Sequence, residues 1–308
     1  MCATCGCSGS AVIWSPDPEP GHEHGHDHRH GHDHGHGHGH GHDDDHGHGH
    51  ENDHGHGHGN GHDDDHGHGH GHGHGHENGD EGRTIALQQK VLARNDDLAA
   101  RNRDWLGGRG ILAINLMSSP GSGKTTLLER AGRELAGQLA VSVIEGDQET
   151  ALDAARIRSA GCRVVQINTG VGCHLDAAMV ARALQTLDPP DRSVVMIENV
   201  GNLVCPALFD LGEAARVVLA SVTEGADKPL KYPQMFRRAD LVLITKTDLV
   251  PYVDFDPARC TEYIAQVSPQ ATVIELSART GDGMQAWYDW LRTRTPASAP
   301  ARSATRRG

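Results

Sequence analysis

From Thr84 onward the chain carries two kinds of apolar spacing. Ile85, Val91, Leu92, Leu98, Trp105 and Leu106 lie among polar residues, as on one face of an amphipathic helix of about twenty residues, and Gly107-Gly108 end it. Beyond it, short apolar runs alternate with helical stretches, at residues 111–117, 141–144, 164–167, 194–197, 217–219, 241–244 and 272–274. Runs this apolar, without strict alternation, suit strands buried on both faces of a mostly parallel sheet. The pattern predicts a doubly wound α/β domain whose ligand sits at the carboxyl ends of the strands.

Before Thr84 this pattern is absent. Residues 21 to 84 contain no apolar side chain, so burial cannot offset the entropy of ordering them, and the tract is expected to be disordered. Four parts follow: residues 1–20, 21–83, the folded domain 84–294, and a Pro-, Ala-, Ser- and Arg-rich tail 295–308 that also reads as disordered. Charge divides the same way. Residues 1–82 hold sixteen acidic side chains against Arg29 alone, which leaves about +2 of the chain's net −13 for the rest. No basic face suggests nucleic acid. No run reaches the roughly twenty apolar residues of a membrane span, and no secretory signal is visible, so the expected location is cytoplasmic, without membrane insertion.

The first chemical signal follows residues 111–117. Ser118-Ser119-Pro120-Gly121-Ser122-Gly123-Lys124-Thr125-Thr126 joins a strand to a helix through a glycine-rich turn. In such a turn, backbone N–H groups from Gly121 to Thr126 wrap phosphates, Lys124 reaches the β and γ oxygens, and the Thr125 hydroxyl holds Mg²⁺. The common pattern opens with Gly where this chain has Ser118.

Other motifs fall at later strand ends. Asp147 can hold Mg²⁺ or orient the attacking water. Glu198-Asn199-Val200-Gly201 matches an acid-x-x-Gly loop, with Glu198 near Mg²⁺ and the Gly201 amide sensing a γ-phosphate. In Thr245-Lys246-Thr247-Asp248 the aspartate can accept from the N1–H and exocyclic amine of guanine, a donor pair that adenine lacks. Ser277-Ala278-Arg279 can offer a backbone amide to guanine O6. These two partial motifs favour GTP over ATP.

Metal-binding residue types form three groups. Cys2, Cys5 and Cys7 can converge on one small ion such as Ni²⁺, Zn²⁺ or copper. Twenty-four of the 25 histidines lie between His22 and His76, mostly alternating with glycine; His24, His26, His28, His36, His38, His40, His68, His70, His72 and His74 are among them. Such a tract suits high-capacity, loose binding of nickel or zinc. Cys173-His174, holding the only histidine outside the tract, and Cys205 make a third, thiolate–imidazole set. Cys162 and Cys260 lack such company and read as packing residues.

Together these residues closely resemble the HypB family of hydrogenase nickel-incorporation GTPases. Further matching runs are Asn168-Thr169-Gly170, residues 223–233 (Thr-Glu-Gly-Ala-Asp-Lys-Pro-Leu-Lys-Tyr-Pro) and residues 249–255 (Leu-Val-Pro-Tyr-Val-Asp-Phe). Ser118 fits the family; Thr245 departs from its usual Asn. The resemblance implies a P-loop GTPase that delivers nickel to the large subunit of a [NiFe]-hydrogenase with a HypA-type metallochaperone. It implies GTP-promoted homodimers with the Cys173/His174/Cys205 site, holding nickel or zinc, near the subunit interface. It also implies a tight nickel site at Cys2/Cys5/Cys7 and a nickel store in the histidine tract. A urease-accessory-type GTPase and a nickel/zinc storage protein are the competing readings.

Overall fold

The computed structural model describes residues 12–14, 78–147, 152–170 and 172–296, with backbone alone for 12–14 and 78–88. Cys2, Cys5, Cys7, the tract from His22 to His76 and the tail beyond residue 296 lie outside the described residues. The chain divides into two units, Met1–Asp17 with Gly79–Gly308 and Pro18–Asn78; Asn78 is the single described residue of the second.

A short strand, β1 (Val12–Trp14), comes first, and each of the seven expected runs forms a strand after it. These are β2 (Leu112–Ser118), β3 (Val141–Asp147), β4 (Arg163–Asn168), β5 (Val194–Glu198), β6 (Ala215–Ser221), β7 (Leu241–Thr245) and β8 (Thr272–Glu275). The sheet order is β1-β4-β3-β5-β2-β6-β7-β8. The last seven strands are parallel throughout, and β1 adds an antiparallel edge to β4. The chain winds outward from β2 in one direction through β3 and β4, then in the other through β6, β7 and β8. The switch point therefore lies at the carboxyl end of β2, where the phosphate-type loop emerges.

Strands β2, β5, β6 and β7 are buried along their whole length, which is why they read as apolar runs. Their side chains alternate between two cores. Leu112, Ile114 and Leu116 pack with Leu127 and Leu128 of α2 (Lys124–Leu135), Ile157 of α3 (Leu152–Ser159) and Trp287 of α8 (Met284–Arg294). On the other face Ala113, Val195 and Ile197 meet Leu106 of α1 (Asn78–Gly108) and Val180 and Leu184 of α4 (Ala177–Leu187). That face continues where Val218 and Ile244 pack on Phe236 of α6 (Pro233–Phe236), which follows α5 (Lys228–Lys231), and on Cys260 and Ile264 of α7 (Pro257–Val267).

Helix α1 departs from the expected pattern in length and in its buried face. It spans 31 residues, and Asn95, Ala99, Asn102 and Leu106 are buried, whereas Val91 and Trp105 are 50% and 39% exposed. Two asparagines take the packed positions because they bond to main chain there. Asn95 Nδ2 donates to the Asp210 carbonyl (2.8 Å) and its Oδ1 accepts from Ala177 N (2.9 Å). Asn102 Nδ2 donates to the carbonyls of Ala177 (2.8 Å) and Leu211 (3.0 Å). A hydropathy period cannot register such positions.

Candidate functional site

Ser118 closes β2, and the loop through Gly123 hands the chain to Lys124, the first residue of α2. Gly121 and Gly123 adopt φ of +73° and +100°, a region that disfavours any residue with a β-carbon. Lys124 Nζ donates to Ser118 Oγ at 2.8 Å, and Ser122 Oγ donates to the same oxygen at 2.6 Å. The serine in place of the usual glycine thus anchors the lysine across the loop. Burial lowers the Lys124 pKa and outweighs the nearby charges of Glu198, Glu224, Asp153 and Asp147, which pull it up. Thr126 lies exposed in the first turn of α2.

Beside the lysine, Thr125 Oγ1 lies 3.0 Å from Glu198 Oε1 and 3.1 Å from Asp153 Oδ2. Burial pushes the Glu198 carboxyl up to about 7 although Lys124 and Thr125 pull it down. Its other oxygen, Oε2, is buried without a hydrogen-bond partner. Glu145, opposite Glu198 in the β3–β5 register, is pushed up to about 8 by burial and then by the Glu198 charge. A hydroxyl, convergent carboxylates and an orphaned buried oxygen form a hard donor set that fits Mg²⁺. Asp153 was missed in the sequence, where an acid in the first turn of α3 has no distinguishing pattern. Asp147 acts on Lys124 and Glu198 through its charge, and its carbonyl accepts from Thr169 N at 2.9 Å.

The two guanine-type motifs meet at the next strand ends. Thr245 Oγ1 donates to the Ser122 carbonyl at 2.8 Å, and Lys246 Nζ reaches the Gly121 carbonyl at 2.5 Å. Ser277 Oγ donates to Asp248 Oδ1 at 2.6 Å and accepts from Arg279 N and Thr280 N. The Ala278 carbonyl accepts from Arg130 of α2 at 3.0 Å. Thr245 therefore ties its motif to the phosphate-type loop with a hydroxyl, although the common motif has Asn at that position. On the opposite flank, buried Lys228 bonds to both Ser119 Oγ and Glu224. That cluster was legible only as part of a matching run.

Cys173 and His174 lie between β4 and α4, and Cys205 opens a 3₁₀ turn, Cys205–Ala207, beyond β5. Their potential ligand atoms lie within 4.8 Å of one another. Cys173 Sγ is 3.7 Å from His174 Nδ1, and the imidazole stacks on Phe209 with centroids 3.9 Å apart. Burial holds the His174 pKa below its ordinary value, against the pull of Asp176, which favours the neutral ring a metal requires. Two thiols and an imidazole suit zinc or nickel. Cys162 and Cys260 are buried elsewhere, and burial pushes both thiols up to about 11.

One strip of backbone touches both places. Glu198 ends β5 at Thr125, and Gly201 lies so close to the phosphate-type loop that a β-carbon on it would stand 3.0 Å from Pro120 Cα. Cys205 follows four residues later. The arrangement defines a nucleotide-binding protein of the P-loop, doubly wound class, with a Cys173/His174/Cys205 cluster whose third member lies four residues beyond the glycine that abuts its phosphate-type loop. Residues 112–275 match the family model "CobW/HypB/UreG, nucleotide-binding domain". The hydrogenase maturation factor HypB of Rhizobium leguminosarum bv. viciae is 54% identical over 209 residues, covering 68% of this chain and 70% of that protein. Among solved structures, HypB of Archaeoglobus fulgidus is 41% identical with a TM-score of 0.62, covering 66% of this chain and 98% of that one. HypB of Helicobacter pylori, solved in complex with nickel, is 38% identical with a TM-score of 0.61, covering 67% and 99%. The chain belongs to the HypB family of hydrogenase maturation factors, a family of GTPases. Among the described residues no helix is long and apolar enough to cross a membrane.

Proposed function

We propose that the chain is a cytoplasmic, Mg²⁺-dependent GTPase that stores nickel and delivers it to the large subunit of a [NiFe]-hydrogenase, acting as a GTP-promoted homodimer with a HypA-type metallochaperone. Lys124 and the amides of Gly121 to Thr126 hold the phosphates, and the Gly201 amide senses the γ-phosphate. Asp248, supported by Thr245, Lys246, Ser277 and Ala278, selects guanine. Thr125, Glu198, Asp153 and Asp147 would hold Mg²⁺, which when bound neutralises charge on the β and γ oxygens. Cys2/Cys5/Cys7 form a tight nickel site, the histidine tract is the store, and Cys173/His174/Cys205 is the transit site for nickel or zinc.

The observation supporting this reading is the strip from Glu198 to Cys205. Gly201 abuts Pro120 in the nucleotide loop, and Cys205 is held to it by a short tether. Loss of the γ-phosphate then draws Cys205 away from Cys173 and His174 and releases nickel. The test is a nickel titration of wild type and Cys205→Ala with GDP and with a non-hydrolysable GTP analogue, following dimerisation in parallel. Wild type should bind about tenfold more tightly with the GTP analogue than with GDP, a coupling of about 1.4 kcal/mol, and Cys205→Ala should abolish that difference. Equal wild-type affinities would overturn the coupling.

A further inference from the structure

Consecutive residues at a strand end face opposite sides of the sheet. At the end of β5 this geometry separates two tasks. Glu198 turns to α2 and meets Thr125, whereas the next side chain, Asn199, turns to the α4 face. Asn199 is 1% exposed, and its Oδ1 accepts two main-chain N–H groups, from Leu175 at 3.2 Å and Val200 at 3.0 Å. Leu175 directly follows His174, and Val200 precedes Gly201 on the way to Cys205. One carboxamide oxygen therefore ties together the two segments that carry the Cys173/His174/Cys205 cluster.

The other end of the amide is also fixed. Asn199 Nδ2 donates to Asn115 Oδ1 at 3.2 Å in the middle of the buried face. Asn115 Nδ2 lies 3.5 Å from Glu213 Oε1, and Glu213 Oε2 accepts from Leu211 N at 2.7 Å, two residues after the Phe209 ring on which His174 stacks. An apolar side chain at position 199 would leave both the Leu175 and Val200 N–H groups without their acceptor among buried residues.

We propose that Asn199 is a positioning residue for the Cys173/His174/Cys205 site. It holds the two ligand-bearing segments in register and passes to them the nucleotide-dependent movement of Glu198 and Gly201. The second half of this statement rests on the nucleotide-coupled reading given under the proposed function.

The test uses the full chain with Cys2→Ser, Cys5→Ser and Cys7→Ser, so that thiolate-to-nickel charge-transfer absorption reports on Cys173 and Cys205. Ni²⁺ is titrated with GDP or a GTP analogue into this background, into Asn199→Leu and into Asn199→Asp. The leucine variant should bind about tenfold or more weakly at this site, with an altered charge-transfer band. Aspartate keeps an acceptor for both N–H groups but loses the donor to Asn115 Oδ1, so it should bind more weakly than the background and more tightly than the leucine variant. Thermal melting and GDP binding confirm that each variant is folded, and Asn199→Ala replaces the leucine variant if that one does not fold. A leucine titration coinciding with the background, or an aspartate variant as weak as leucine, overturns the positioning role. A nucleotide dependence that survives in the leucine variant overturns its part in coupling. A background with no nucleotide dependence overturns the coupled reading, while the positioning role is still decided by the leucine and aspartate titrations.

Discussion

The side chain of Leu175 fills the space beside Gly146 where a β-carbon would stand. A Cβ built on Gly146 would lie 2.9 Å from three Leu175 atoms. Gly146 precedes Asp147 at the phosphate end of β3, and Leu175 follows His174. The loop that carries Cys173 and His174 is therefore seated directly on β3, next to Asp147.

Gly146→Ala should overpack this contact and cost about 1–3 kcal/mol, because a fully buried leucine has little room to retreat. Its displacement should also weaken nickel-thiolate charge transfer at Cys173 and Cys205. Leu175→Val in the same chain should restore part of both losses. Chemical denaturation and nickel titration of the single and double variants check this, and a stability equal to wild type for Gly146→Ala would rule it out.

The bond from Thr245 Oγ1 to the Ser122 carbonyl separates affinity from specificity at the nucleotide site. Thr245→Val keeps the shape and removes the donor, so GDP affinity should fall about fivefold, in line with one lost hydrogen bond of about 1 kcal/mol. Asp248→Asn acts differently. The variant amide can donate to the 2-oxo group of xanthine where the carboxylate accepted from the amine of guanine, so preference should shift from GDP toward XDP by about a hundredfold or more. Competition binding with GDP, XDP and ADP reads both effects. If Asp248→Asn retained its guanine preference, Asp248 would not be the discriminating group.

Most of the frame could be read because two-sided burial writes each parallel strand as an unbroken apolar run, as in residues 194–197. The phosphate-type loop could be read because its chemistry is local: glycines with positive φ, then Lys124 and Thr125. The meeting of Cys173, His174 and Cys205 followed from strand-end geometry together with the rarity of a histidine outside the tract. What escaped depends on contacts between distant segments. The packed face of α1 was misassigned because Asn95 and Asn102 look polar until Ala177, Asp210 and Leu211 come alongside. Asp153 gains its place at Thr125 only when α2 and α3 pack together. Strand β1 is too short for a period to show.

The Arg103–Asp210 pair gives a stability effect with a defined pH window. Arg103 Nη2 lies 2.7 Å from both carboxylate oxygens, tying α1 to the segment after Phe209. Burial raises the Asp210 pKa, but the Arg103 hydrogen bond and charge and the Gly212 amide outweigh it and hold the group below its ordinary value. A carboxyl with a depressed folded pKa contributes stability above its unfolded pKa of about 3.9 and loses it as pH falls through the folded value. Asp210→Asn should therefore cost about 0.5–1 kcal/mol at pH 7, a range set by the partial exposure of the pair. The gap to wild type should close below about pH 4. Melting curves of both proteins between pH 7 and pH 3 check this; a gap that widened on acidification would show the sign to be wrong.

Deleting residues 21–83 separates storage from delivery. The segment holds 24 histidines and no apolar side chain, so its removal takes away loose imidazole sites and no core. The deleted chain should bind several fewer nickel ions, yet keep the GTP hydrolysis and melting temperature of the full chain. Hydrogenase maturation should fail when nickel is scarce and recover when it is plentiful, because the loop from Glu198 to Cys205 is intact. Nickel stoichiometry by dialysis and hydrogenase activity across a range of supplied nickel provide the two readouts. A maturation defect that persisted at high nickel would overturn nucleotide-driven delivery as the main activity and favour the reading of the chain as chiefly a nickel/zinc storage protein.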